Sequence, residues 1–333
     1  MKILFFTRLY WPHVGGVEKH LEQLSLRLKG KGNDVTIVTT KHSSDLDSEQ
    51  IYRKIKIIRF NQPQIKYFGL IYTWLWLLRN RSLIKESDVI HIHDVFIWSL
   101  PFKVLFPKKK VYVTFHGQWG KYPISRQDIL QKRLGAKLAN GVICIGDYIP
   151  KNYGIKADIV SFGATDIPKT KYKKENKSIV YVGRLDQSIS LNTFFEVFKN
   201  LKGYQIEFCG EGELSYEANL YGSVKGFVDP GPYYKKAKYC FASGYLTVLE
   251  ALAHKCLLFV AYNNPLQKDY YEMTPFRKFI ICSANSMELM ERFNYYQKRP
   301  KVAEKLILSG FAWVKTQTWE KLVEDYLKLW KAN

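Results

Sequence analysis

Acidic residues are scarce in this chain of 333 residues: 30 Asp and Glu stand against 51 Lys and Arg, a formal charge of +21. That excess implies an anionic partner, whether nucleic acid, a phosphorylated ligand or an anionic membrane, or else a solvated lysine-rich surface. Cysteine is equally sparse. Cys144, Cys209, Cys240, Cys256 and Cys282 are odd in number, widely spaced and free of any CxxC pair. This excludes a disulfide framework and reads as buried thiols in a reducing compartment. No apolar run reaches the roughly 20 residues of a spanning helix. The segment Phe68 to Leu78 has eleven residues, and its mix of Tyr72, Trp74 and Trp76 beside Arg79 and Arg81 suits either a membrane-surface helix or a core helix. Only Ile3 to Phe6 precede Thr7 and Arg8, too short for a secretory signal. The expectation is a cytoplasmic protein, a candidate for peripheral attachment to the inner membrane face. Low-complexity tracts, solenoid periods and a GxGxxG dinucleotide fingerprint are all absent.

What is present is alternation. An apolar content of 47% with 24% charged residues is that of a globular protein, and the length suits two domains. Short β-branched and aromatic runs, "KILFFT", "DVTIVTT", "DVIHIHD", "VYVTFHG" and "GVICIG", are mostly separated by stretches of helical period, the pattern of βαβ units and a parallel sheet. Residues 17–29 place Val17, Leu21, Leu24 and Leu28 on one helical face. A polar, basic stretch from Gly163 to Ser178 without apolar period reads as a linker. A second series follows: "SIVYVGR", "YQIEFCGEG", "YCFAS", "LLFVAY" and "FIICS". The expected domains are 1–163 and 178–315, with 316–333 as a last helix. That helix, over about Thr318 to Lys331, presents Trp319, Leu322, Val323, Tyr326, Leu327 and Trp330 on one broad face that must pack on something.

Several strand ends carry candidate chemistry. "WPHVGGVEKH" follows the first strand, so Gly15 and Gly16 open a helix whose terminus suits a phosphate, or else make a tight turn without ligand. "VTFHG" brings His116 to a carboxyl strand end, where parallel α/β folds bind ligands. "HIHD" sets His91 and His93 on one side of a strand beside Asp94; without a third ligand in register the structural reading outweighs a metal. "VGRLD" offers Gly183 and the forked cation Arg184, suited to a diphosphate. "FCGEGEL" adds Gly210 and Gly212. In "ASGYLTVLEALA" the backbone N–H groups of Gly244, Tyr245, Leu246 and Thr247 begin a helix and favour an anion, and Glu250 lies one turn further in. The pair Asp45 and Asp47 in "SSDLDSEQ" reads as a solvated turn.

The ordered set GGVEKH, TFHG, VGRLD, GEGEL, LEALA and "TWEKLVEDYLKLW" resembles the retaining nucleotide-sugar glycosyltransferases of family four, over nearly the whole chain. The resemblance implies an α/β GT-B fold, two Rossmann-like parallel-sheet domains facing a cleft, with the last helix crossing back to the N-terminal domain. It implies an N-terminal acceptor domain and a C-terminal donor domain. It implies a nucleoside diphosphate sugar, UDP- or GDP-linked, as donor substrate, a glycan or lipid-linked acceptor, and neither cofactor nor obligatory metal. It implies that Gly15 and Gly16 approach the diphosphate, that His116 faces the transferred sugar, that Arg184 holds the phosphates and that Glu250 binds the ribose.

The chain also departs from that pattern. The family's second phosphate cation falls on Ile189 and the following glycine on Ser190. Its paired glutamates reduce to Glu250, with Ala242 or Ser243 where the first acid would stand. Either the donor pocket is a variant, in which Asn263, Asn264 and Lys268 supply replacement contacts, or the chain is a catalytically silent partner subunit. A nucleic-acid-directed transferase or binder is a further alternative, which no interleaved basic and aromatic recognition motif supports, and a sugar-nucleotide epimerase on the same fold is a lesser one.

Overall fold

A computed structural model of the chain describes residues 1–65, 68–117, 122–170 and 172–332. The chain divides into two compact units, and the first is assembled from Met1–Gly117, Ile124–Ser161 and Trp319–Asn333. Its sheet contains β1 (Lys2–Phe6), β2 (Asp34–Thr40), β3 (Glu49–Tyr52), β4 (Ile55–Phe60), β5 (Val89–His93), β6 (Val111–Phe115), β7 (Gly141–Ile145) and β8 (Ile159–Ser161). Their order is β3-β4-β2-β1-β5-β6-β7-β8. Every residue of β5, β6 and β7 is buried, as expected of strands covered by helices on both sides. β3 and β4 pair antiparallel through Arg53 and Lys54, both at positive φ, the backbone that a tight hairpin demands. This hairpin lies outside the βαβ pattern read from the sequence.

Right-handed crossovers fix which face each helix covers. The chain steps one way from β1 to β2, placing the helix Gly16–Gly30 on one face, and the other way from β4 through β5 and β6 to β7. The helices Phe68–Arg79, Leu100–Leu105 and Arg126–Leu138 therefore share the opposite face, each packed on the 3-10 turn Phe96–Ser99. Gly16–Gly30 buries Leu21, Leu24 and Leu28 as expected, together with His20 and Ser25, while Val17 of the expected face is only half-buried in the first turn. The closing helix, Trp319–Ala332, packs beside it. Its buried residues are Trp319, Leu322, Val323, Tyr326, Leu329 and Trp330. Leu329 rather than Leu327 completes the face: it packs so close to Gly141 that an added Cβ there would collide with it, while Leu327 is half-buried.

The second unit, whose main body is Phe162–Thr318, has six strands: β9 (Glu175–Val182), β10 (Gln205–Cys209), β11 (Ser223–Gly226), β12 (Ala237–Ala242), β13 (Leu257–Ala261) and β14 (Ile281–Ser283). All pair parallel in the order β11-β10-β9-β12-β13-β14. The last residues of the expected linker are already strand, since β9 begins at Glu175, and Lys174 donates to the carbonyls of Tyr234 and Ala237 at 2.5 and 2.7 Å. The core is aromatic: Phe241 meets Phe194 and Phe198 at 5.1 and 4.8 Å between centroids, and Tyr239 meets Phe293 at 4.6 Å. All five cysteines are buried free thiols. Among the described residues no helix is long and apolar enough to cross a membrane.

Candidate active site

In the N-terminal unit the candidate residues gather at the carboxyl ends of β1, β5 and β6. Gly15 caps the Gly16–Gly30 helix with extended backbone. Glu18, one turn in, folds its carboxylate back over Gly15 and takes a 2.9 Å bond from His13 Nδ1. Burial pushes this carboxyl up against the opposing pull of its own backbone N–H and His13. The helix start thus already carries a carboxyl group, and a phosphate arriving at Gly15 and Gly16 would have to displace it.

His116 follows β6 and is fixed from three directions. Its N–H donates to Asp94 Oδ1 at 3.1 Å, its carbonyl accepts from Tyr148 OH at 2.9 Å, and its Nε2 lies 2.9 Å from His93 Nδ1. Asp94, at φ +62°, also meets Lys132 Nζ at 3.1 Å. Burial alone would raise the Asp94 carboxyl; Lys132 and His116 outweigh it and hold the pKa below the usual value. Burial lowers the His116 imidazole to about 4, with Asp94 raising it and Lys132 lowering it. His116 is accordingly neutral at physiological pH.

Three further histidines, His20, His91 and His93, are buried behind it, and burial depresses each well below its ordinary value. Their hydrogen bonds run in one direction. Trp330 Nε1–H, which can only donate, bonds His91 Nδ1 at 2.9 Å. The His91 proton then sits on Nε2 and goes to Thr114 Oγ1 at 2.8 Å. Thr114 donates to Tyr326 OH at 2.8 Å, and Tyr326 to His20 Nε2 at 2.9 Å. His93 Nε2 is buried without a partner among the described residues. An orphaned lone pair costs less than an orphaned N–H, so we assign the shared proton to His93 Nδ1, which leaves that of His116 on its own Nδ1. His91 and His93 are tied into this network; among the described residues no group of three or more His, Cys, Asp and Glu could hold a metal ion. His20 was not singled out from sequence; its signal was the polar position inside the buried face of the first helix.

In the C-terminal unit the candidates converge on the ends of β9, β10 and β12. Gly183, at φ +151°, donates to Cys209 O at 3.2 Å, and Gly210, at φ +158°, lies so close that any Cβ would strike the Gly183 carbonyl. The two glycines let adjacent strand ends touch. Arg184 is 59% exposed in its side chain and pairs with Asp186 Oδ2 at 3.1 Å. Ile189 is 2% exposed and belongs to the core with Leu185, Leu191 and Phe194, so an apolar anchor fills the position of the family's second cation. Ser190 beside it is buried, and its Oγ donates to Gln267 Oε1 at 2.8 Å.

The start of the helix Tyr245–Ala253 is partly capped by phenols. Tyr245 N donates to Tyr270 OH at 2.7 Å, and Gly244 N reaches Tyr271 OH at 3.5 Å, the limit of such a bond. Leu246 and Thr247 are left as the first-turn residues whose N–H groups have no acceptor within the helix. Glu250 is half-buried rather than enclosed, because the apolar face of this helix turns away from it toward Val248, Leu249, Ala251 and Leu252. Asn264 caps the next helix, Pro265–Glu272, by accepting from Gln267 N, and its amide donates to Asn263 Oδ1, both at 2.9 Å. These side chains hold the helix start, while Lys268 is exposed. Tyr270 and Tyr271 went unremarked in sequence; the adjacent pair in "KDYYE" was the available signal.

Comparison with known proteins adds a family. Residues 14–156 match the family model described as Glycosyltransferase Family 4. A search of curated protein sequences found no match. Among solved structures, a sucrose-phosphate synthase from Thermosynechococcus elongatus is 16% identical with a TM-score of 0.76, covering 99% of this chain and 98% of that one. A glycosyltransferase from Rickettsia africae is 15% identical at a TM-score of 0.72, with the same coverage of 99% and 98%. Anabaena HepE in complex with UDP is 11% identical at 0.72 and covers both chains fully, 100% and 100%. At such identities the structures share the fold. Residues 14–156 thus match glycosyltransferase family 4, and the chain carries the two-sheet GT-B architecture of these glycosyltransferases.

Proposed function

We propose that the chain is a retaining glycosyltransferase that moves a sugar from a UDP- or GDP-linked donor to a glycan or lipid-linked acceptor, in the cytoplasm. The observation that carries this reading is the fixed, neutral His116 at a strand end within the matched segment. A ring that stays uncharged serves as a hydrogen-bonding group for a sugar hydroxyl better than as a general acid. Balanced transfer forms a bond from the acceptor oxygen to the anomeric carbon, breaks the bond to the diphosphate, and sends the acceptor proton to the departing diphosphate. The charge that develops there is met by Arg184 and by the N–H groups of Leu246 and Thr247. In this reading Glu250 accepts from the ribose, while Gly15 and Gly16 approach the diphosphate only if Glu18 swings aside. In this reading the diphosphate is met by the Arg184 cation and by neutral N–H donors, so chelation with EDTA is expected to leave activity unchanged.

A thermal-shift panel of UDP, GDP, ADP and their sugar conjugates tests the donor site. A ligand at about 100 times its Kd stabilises by about 2.7 kcal/mol, a shift of several degrees. One diphosphate is expected to raise the melting temperature of the wild type and not that of Arg184→Ala. The core position of Ile189 and the tyrosine caps on Gly244 and Tyr245 favour a second reading, a catalytically silent subunit. It predicts no shift with any nucleotide in the panel.

A further inference from the structure

We propose that the outer helical layer of the N-terminal unit is a docking face for an anionic lipid bilayer. The layer consists of the helices Phe68–Arg79, Leu100–Leu105 and Arg126–Leu138, which share one face of the sheet and pack on the same 3-10 turn. Each turns apolar side chains outward. In the first, Gly69, Thr73 and Leu77 face the body, while Phe68, Ile71, Tyr72 and Leu75 are 66%, 48%, 39% and 52% exposed. In the third, Leu130, Leu134 and Leu138 recur every four residues on the solvent side, at 68%, 41% and 37% exposure. Val104, on the short helix between them, is 80% exposed. A soluble surface seldom gathers so many large apolar groups on one side.

The layer is firmly built. Trp74 Nε1 donates to Ile97 O at 2.9 Å and Gln62 Nε2 to Thr73 Oγ1 at 2.9 Å, so the first helix is pinned with its apolar stripe outward. Charge then selects the occupant. The three helices offer Arg79, Lys103, Arg126, Arg133 and Lys137 against one acid, Asp128, whose carboxylate is already bonded to Ser125 at 2.6 Å, while Lys132 turns inward to Asp94. Two copies meeting through this face would bring like charges together. An anionic bilayer instead supplies phosphate groups for the cations and acyl chains for the leucines, with Tyr72 at the headgroup level. The inference does not require the transferase reading, and it gives a lipid-linked acceptor a reason to lie within reach.

Flotation with vesicles of phosphatidylcholine alone and of phosphatidylcholine mixed with phosphatidylglycerol tests it. The full chain is expected to float with the mixed vesicles and not with the neutral ones. Ile71→Glu with Leu75→Glu, or Leu130→Glu with Leu134→Glu, should weaken that partitioning at least about tenfold without changing the melting temperature. Removing Arg79 and Arg126 as glutamines should weaken it more than removing Lys301 and Lys305, which lie exposed in the other unit. Failure to float with anionic vesicles overturns the proposal. So does equal weakening by the Lys301 and Lys305 pair, which would assign binding to bulk charge. A concentration-dependent dimer abolished by Ile71→Glu and Leu75→Glu would assign the face to a second copy. Loss of nucleotide binding in Arg184→Ala with flotation intact separates this surface from the donor site.

Discussion

His116→Ala is expected to lower kcat/KM by about two to three orders of magnitude, the usual loss when one preorganised hydrogen-bonding group is removed from a polar transition state. Burial holds the pKa of this ring at about 4. Activity in the wild type should therefore show no ionisation of this ring from pH 6 to 9 and should fall only on approach to the acid limit. A pH–rate profile measured on the wild type checks the protonation state, and kcat/KM of His116→Ala beside it checks the role. A bell-shaped profile with a limb near pH 6.5 that disappears in the variant would show an acid–base histidine instead. His93→Phe should leave His116 in place while removing its hydrogen bond. We expect an intermediate loss there, accompanied by a changed ring-nitrogen signature for His116 in ¹⁵N-histidine spectra.

Tyr326→Phe is expected to cost the N-terminal unit about 2–5 kcal/mol, because it takes the acceptor from the buried Thr114 hydroxyl proton and the donor from His20 Nε2. Removing residues 318–333 should do far more. Six buried side chains of the closing helix, at about 1.5–3 kcal/mol each, exceed much of the 5–15 kcal/mol by which a domain is stable, so this unit should unfold outright. Urea unfolding and limited proteolysis would read both effects; wild-type protection in the truncated chain would refute the assignment of the helix to the N-terminal core. The same network sets an acid limit. Unfolded histidines bind protons below about pH 6.5, whereas His20, His91, His93 and His116 resist protonation while folded. Each therefore adds stability that is complete above pH 6.5 and is lost as the pH falls, for His116 until about 4. Tyr326→Phe should raise the pH at which the unit unfolds.

Most strands were legible because a buried parallel strand must be continuously apolar, and "VYVTF" or "GVICI" has few other uses. The β3–β4 hairpin was not, since its turn residues Arg53 and Lys54 lack the glycine or asparagine that usually marks positive φ. Motif spacing located the strand ends that carry His116 and Arg184, yet it could not report what occupies their surroundings. Glu18 over Gly15, and Tyr270 over Tyr245 N, are contacts between side chains and backbone that depend on rotamers. The asparagines Asn263 and Asn264 looked free in sequence for the same reason, and the structure uses them to start a helix. The aromatic segment at Phe68 fits neither simple alternative: one stripe lies against the body and the other meets solvent.

The closing helix has a consequence for synthesis. A chain leaves the ribosome from its N-terminus, and a leading domain commonly folds while the rest is still being made. Here the first sheet lacks one of its covering helices until Trp330 has been added, so His91 Nδ1 waits for Trp330 and the Thr114 hydroxyl proton for Tyr326 throughout elongation. The unit encoded second can close first. The nascent N-terminal half is thus expected to stay open to proteolysis longest, and a stalled chain ending near Gln317 should be cut there and not in its second unit.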